Sequence, residues 1–305
     1  VIPLLLAFLA GMPSAFAGPT LNWRGSVEAD VRSIAQDDFA FERLETTADA
    51  ILKARLSNHV RAVGNLRLIF REFSSPNDFG ALTDRTRIDP YRLESDALFV
   101  EFTDVATDGF DIRLGRQQII WGSADRFHPV SNLNALDVED PLLFGKVIAN
   151  EMLSLRYRPE LFFGDEDEPW FEEFGLEVVF VPFFKPAQLP QSAGLGFTDE
   201  GEQERRANTP LLKKLVDQQQ YLSGIGWTFD THPEVNLPER NLSNVMVGAR
   251  MSFTMLGMDL GFSYFNGFDD FPRGEKVEST VTGTHADSAL SLTYPRVQVA
   301  GFDMA

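Results

Sequence analysis

The chain has 305 residues, no cysteine, and a formal charge of -18 from 45 acidic against 27 basic side chains. That balance excludes the basic footprint that nucleic acid requires, and the missing thiols exclude disulfides and thiolate metal sites. Beyond Ala17 no apolar run reaches the roughly 18 residues of a membrane-spanning helix.

The first segment, IPLLLAFLAGMPSAFAGP, is an apolar run passing into small residues at Ala15 and Ala17. It reads as the core and A-x-A site of a secretory signal peptide over 1–17, cleaved after Ala17. The basic leader is missing ahead of Val1, so we expect coding sequence upstream. Residues 18–305 then follow as one exported domain without a helical anchor.

Period-two alternation dominates that domain, which makes it chiefly β. Strands are predicted at 20–34, 52–57, 65–71, 93–104, 109–121, 148–158 and 174–184, then at 245–254, 257–264, 288–294 and 297–305, about eleven in all. The clearest places Val245, Val247, Ala249, Met251 and Phe253 opposite Met246, Gly248, Arg250, Ser252 and Thr254, with a hairpin through Met255-Leu256 into the next strand. Many runs exceed the 5 or 6 residues of an ordinary strand and approach the 9 to 11 that cross a bilayer. Connections alternate in size as well. Tight links fall at 58–60, 105–108, 255–256 and 295–296, and long polar segments at 35–46, 74–92, 122–147, 185–242 and 268–287, with 159–173 intermediate. Short turns on one rim and long loops on the other is the asymmetry of outer-membrane barrels. Within the longest loop, Thr209-Pro210 predicts a short helix over LLKKLVDQQQYL.

In this register Lys53, Arg55, Arg67, Arg71 and Arg250 share the polar face, and a one-residue slip would carry them all into hydrocarbon. An arginine facing lipid at the midplane costs roughly 2–4 kcal/mol, so the register is strongly specified. The predicted lumen lining is Arg55, Arg67, Arg71, Arg113, Arg156 and Arg250, with Glu101, Asp111, Glu177 and Asp259 as partial counter-charges. Phe70, Phe102, Phe110, Phe180, Phe253, Phe262 and Tyr264 fall on the apolar faces.

Chemistry-bearing motifs are scarce. His59, His128, His232 and His285 are scattered, and no metal pair, nucleophile elbow or phosphate-binding glycine loop occurs. No enzyme activity, cofactor or metal is expected. The acidic runs Asp165-Glu166-Asp167-Glu168, Asp199-Glu200 and Asp269-Asp270 suit solvated loops, with divalent cations as an open alternative. An exported soluble β protein that binds or hydrolyses carbohydrate also stays open, using Trp170 and Trp227 for stacking and carboxylates for chemistry.

The run RLGRQQIIWGSADRFHPVSNLNALDVEDP, Arg113 to Pro141, resembles a segment of porin-like Gram-negative outer-membrane barrels. The matching features are Gly115-Arg116-Gln117, Trp121-Gly122, Asp125, Pro129, Asn134 and Asp137, and YPRVQVAGFDMA resembles a later strand. The resemblance implies an antiparallel up-and-down transmembrane β-barrel with further strands beyond Ala305. It implies solute passage without implying a substrate; the arginine-lined lumen sets the expectation of passive passage of small polar or anionic solutes, with outer-membrane lipid and lipopolysaccharide as surroundings and self-association as an open question. Under it Trp121 is expected at the membrane interface. The loop 122–147, which carries Asp125, Arg126, His128, Asp137, Glu139 and Asp140, is expected to bend into the lumen and place Asp125, Asp137, Glu139 or Asp140 opposite the arginine ladder.

Overall fold

The computed structural model describes residues 19–33, 41–71, 88–124, 128–139, 145–165, 168–189 and 221–305. The expected signal peptide, Asp125, Arg126, Asp140 and all but the end of the helix expected after Thr209 lie outside them. The chain is all-β with extensive antiparallel sheet, as its alternation predicts, and divides into two compact units.

The first unit holds residues up to 118 together with 151–161. Its strands are β1 (Thr20–Ser33), β2 (Phe41–Arg55), β3 (Val60–Arg71), β4 (Tyr91–Glu94), β5 (Leu98–Phe102), β6 (Phe110–Gln117) and β7 (Asn150–Tyr157). They run in the order β1-β2-β3-β5-β6-β7, with β4 beside β3, so the single strand predicted at 93–104 is two short ones. Short links at 56–59 and 103–109 close one end of this meander.

Residues paired across strands share a sheet face, so the register sorts the side chains. One face stacks Leu21, Ala54, Ala62, Val100 and Leu114 in one row, Trp23, Leu52, Gly64 and Leu98 in the next, and Val27, Ala48, Leu68 and Leu93 further along. The other stacks Arg55, Arg61, Glu101 and Arg113, then Ser26, Asp49, Arg67 and Glu94. The apolar face is the exposed one: Trp23 is 81% exposed, and Leu21, Val27, Leu52, Leu66, Leu68, Leu93 and Leu98 also stand in the open. One charge interrupts the apolar rows. Arg116 lies opposite Leu98 at the end of β6, where Gly115 takes φ 129° and a Cβ would come within 2.8 Å of Phe99 Cα. The Arg116 guanidinium turns to the Ser95 carbonyl and, at 3.0 Å, to Glu151.

The second unit, 119–150 with 162–305, contains β8 (Phe163–Asp165), β9 (Glu168–Val181), β10 (Thr228–Asn236), β11 (Met246–Met255), β12 (Met258–Phe268), β13 (Arg273–Thr282), β14 (His285–Thr293) and β15 (Arg296–Met304). Its main sheet runs β9-β11-β12-β15 with β8 on β9. The β11–β12 hairpin turns at Leu256-Gly257, one residue later than predicted. Both residues have positive φ, 53° and 74°, the signature of a tight type I′ turn.

Four expected polar loops are partly strands, with β2 beginning at Phe41 inside 35–46 and β4 at Tyr91 inside 74–92. β10 lies within 185–242 and β13 within 268–287, and with β14 they form a separate three-stranded sheet, β10 parallel to β14 and β13 antiparallel to it. The link at 295 therefore does not join paired neighbours, because β15 pairs with β12. All of β13 is exposed, and a strand polar on both faces carries no apolar period to announce it.

Candidate functional site: the polar face and its inserted loop

In the first unit the polar face is held by ion pairs between strands. Glu101 on β5 is only 2% exposed and takes Arg61 from β3 and Arg113 from β6, the latter at 3.0 Å. Arg113 also lies 4.7 Å over the Phe99 ring. Arg67 reaches Asp49 at 3.1 Å and Asp96 at 2.7 Å, and Arg158 reaches the buried Asp111 at 2.9 Å. A buried carboxylate without such partners would be strongly destabilising, so each pair fixes the spacing of the strands that carry it. Arg55, Arg67 and Arg113 thus lie on the predicted face. Arg156 is half-buried on β7, and Arg71 is placed by its backbone alone, paired with Glu45. Arg61, Arg158 and Asp49 belong to the same network but not to the predicted lining; tracking the alternation through the strand ends would have found them.

In the second unit the corresponding side of the sheet has Glu177, Arg250 and Ser263 in one row and Val179, Gly248 and Phe265 in the next. Onto it packs the segment that follows β6. Trp121 is not at an outward interface: it is 3% exposed and donates its indole N–H to Glu177 Oε2 at 3.0 Å. The reason is a notch in the sheet. A Cβ at Gly248 would sit 2.7 Å from Trp121 Cη2 and 2.8 Å from Leu133 Cδ2, and one at Gly301 would sit 2.6 Å from Val130 Cγ1. Glycine at both positions admits the loop's apolar side chains to the backbone.

The loop's polar residues fasten it. Asn134 accepts from the Ile119 amide at 2.8 Å and donates to the Ile148 carbonyl at 2.9 Å, tying the two legs together. Ser131 Oγ accepts from the Trp121 amide at 3.1 Å. Leu136 N–H donates to Asp270 Oδ2 at 2.7 Å, the Val138 amide donates to the Gln188 carbonyl at 3.0 Å, and the Gln188 amide donates to the Leu136 carbonyl at 2.9 Å. Burial raises the Asp270 carboxyl above the usual range, the Leu136 amide opposing and Asp269 adding to the shift.

Among the described loop carboxylates, Asp137 is engaged by a cation of the loop itself. Asp137 is buried against Lys146 at 2.7 Å, within the loop, and Glu139 donates its amide to Asp137. Arg250 on β11 pairs with Asp303 on β15 through two bonds of 2.7 and 2.8 Å, reaching over the intervening β12 at Gly261. His128 is half-buried, its Nδ1 enclosed with no hydrogen-bond partner among the described residues. Asp259 is exposed and accepts from Thr254 at 2.6 Å. Among the described residues no three carboxylate or imidazole groups converge as a cation site requires.

On the opposite, apolar side, rings follow one another across the second unit. Phe163 stacks on Trp170 at 5.8 Å, Phe171 on Phe253 at 5.3 Å, Phe253 on Phe262 at 6.2 Å, and Phe262 meets Phe302 at 5.1 Å. No family model and no curated protein matches this chain.

Proposed function

We propose that this chain forms a β-barrel of the bacterial outer membrane and lets small polar solutes through passively, with the charged sheet faces toward the lumen. The carrying observation is the orientation of the amphipathic sheet: its apolar side is exposed and its charged side is paired and partly covered. A water-soluble sandwich of the same strands would bury Leu21, Trp23, Val27 and Leu52 rather than Glu101. Dimensions support the reading. From Leu21 to Val31 the alternation covers about 33 Å along β1, or about 25 Å of bilayer for a strand tilted by about 40°, the height of a barrel's apolar band. The ring ladder from Phe163 to Phe302 supplies the aromatic girdle that Trp121 does not.

On this reading the 119–149 loop is a fixed lumenal insert. Its apolar residues seat in the glycine notch and Asp137 is paired within it to Lys146, so solute selection falls to the strand-borne arginines. Lipid and lipopolysaccharide would contact the apolar face. The test is fractionation of the expressed protein with heat-modifiable gel mobility, followed by conductance in planar bilayers. We expect membrane-bound, heat-modifiable protein that conducts; a soluble, detergent-free monomer would sink the proposal.

A further inference from the structure

The cations on the first unit's polar face are not equivalent. Arg61 and Arg113 share Glu101, Arg67 is held by Asp49 and Asp96, and Arg158 by Asp111. Lys53 and Arg55, neighbours on the polar side at the end of β2, form no ion pair among the described residues and are exposed. They line a concavity of about 480 Å³ together with Asn22, His59, Arg61 and Phe99, at the end of the sheet closed by the short links. Of the carboxylates at this end, Glu101 is already committed to two guanidinium groups and Asp104 faces the His59 imidazole at 3.6 Å. In a chain with eighteen excess negative charges, this recess is left with a local surplus of positive charge.

The geometry points to a subsite for a small anion, carrying carboxylate or phosphate oxygens, bound by Lys53 and Arg55 with the Asn22 amide as a neutral donor. The guanidinium of Arg55 offers two parallel N–H groups to a pair of oxygens, and the ammonium of Lys53 adds a compact point charge. Asn22, directly opposite Lys53 in the β1–β2 register, can donate to a third oxygen. The rest of this face argues for selectivity by position. Further along, Arg67 is committed to Asp49 and Asp96 with Glu94 opposite it in the register, whereas Lys53 and Arg55 at the short-link end have no such ion pair among the described residues. This inference rests on the channel reading for its role in transport, but the recess itself requires only the first unit's register.

The experiment combines two measurements on the full chain. Inorganic phosphate and succinate are titrated into detergent-purified protein at low ionic strength, where screening is weak, and the same preparations are placed in planar bilayers for reversal potentials in a KCl gradient. Comparisons are the wild type, Lys53→Gln with Arg55→Gln, and Lys276→Gln on exposed β13 as a surface-charge control. Saturable phosphate or succinate binding that weakens at least about tenfold in the double variant alone, the worth of one strong charge-assisted contact, supports the subsite. So does an anion preference that falls in the double variant and not in the control. Equal binding and equal selectivity in all three proteins overturn it, and if those proteins still conduct, the channel reading stands. Binding without any conductance keeps the subsite and removes the channel.

Discussion

The two units fill the same kind of sheet face by opposite means. In the first, Arg67, Arg61, Arg113 and Arg158 cross from strand to strand to carboxylates, and the face is charged throughout. In the second, Gly248 and Gly301 open a notch that Trp121, Leu133 and Val130 occupy, and the few charges pair at the margin as Arg250 with Asp303. Ion pairs hold strands apart at a fixed spacing and leave a wettable surface, whereas a glycine notch lets a loop dry the surface it covers. On the channel reading, a charged face of the first kind offers the solute its contacts, and a loop of the second kind covers the face beneath it.

The largest effect should come from removing the buried centre of the first network. Glu101→Gln leaves Arg61 and Arg113 without their common partner, and breaking a buried pair costs roughly 3–5 kcal/mol. Arg61 is 58% exposed and can turn to water, so we expect about 3 kcal/mol, the lower end of that range, seen as a lower denaturation midpoint in lipid or detergent. The second unit's loop should be unaffected, and a change in Trp121 fluorescence would break the separation between the two regions.

The converse test fills the notch. Gly248→Val places a branched side chain where Trp121 and Leu133 now lie, and overpacking costs typically 1–3 kcal/mol. We expect about 2 kcal/mol, a solvent-shifted Trp121 emission, and a larger single-channel conductance as the loop lifts. Unchanged conductance with a displaced loop would show that the insert does not narrow the path. Trp121→Phe is milder. It keeps most of the packing and loses only the bond to Glu177, about 1 kcal/mol, and should raise conductance little.

How much of this comparison was legible in the sequence depends on range. The strands of the first unit follow from alternation because each reports its own two faces locally, as β1 does from Leu21 to Val31. That 119–149 carries something to bury is equally visible in Leu133 and its apolar neighbours. What Trp121 packs against is not: Trp-Gly at a strand end reads the same whether the ring meets lipid or a notch, and the deciding residue, Gly248, lies far along the chain. The partners of single charges divide the same way: Asp137 finds Lys146 nearby in the loop, and Arg250 finds Asp303 on a strand two places away in the sheet and 53 residues along the chain.

The smallest predicted effect concerns the loop's far anchor and is a matter of pH. Asp270 accepts from the Leu136 amide, and burial, reinforced by Asp269, raises its carboxyl above the usual value despite that bond. A carboxyl whose folded pKa lies above its unfolded value of about 3.9 binds more protons folded than unfolded. Its contribution to stability is therefore fully present below about pH 3.9 and is lost as pH rises through the folded value. Other carboxylates titrate in the same region, so the informative quantity is the difference between the wild type and Asp270→Asn, which keeps an oxygen acceptor for Leu136 and removes the charge. Hydrogen-exchange protection of the Leu136 amide, corrected for intrinsic rate, should fall from pH 4 to pH 7 in the wild type and stay level in Asp270→Asn. Asp270→Ala should lose protection at both. A wild-type anchor that tightens with rising pH would mean that the ionised carboxylate is the better acceptor there and outweighs the burial of its charge, and the loop would then be held electrostatically, like the first unit's face, and not mainly by its notch.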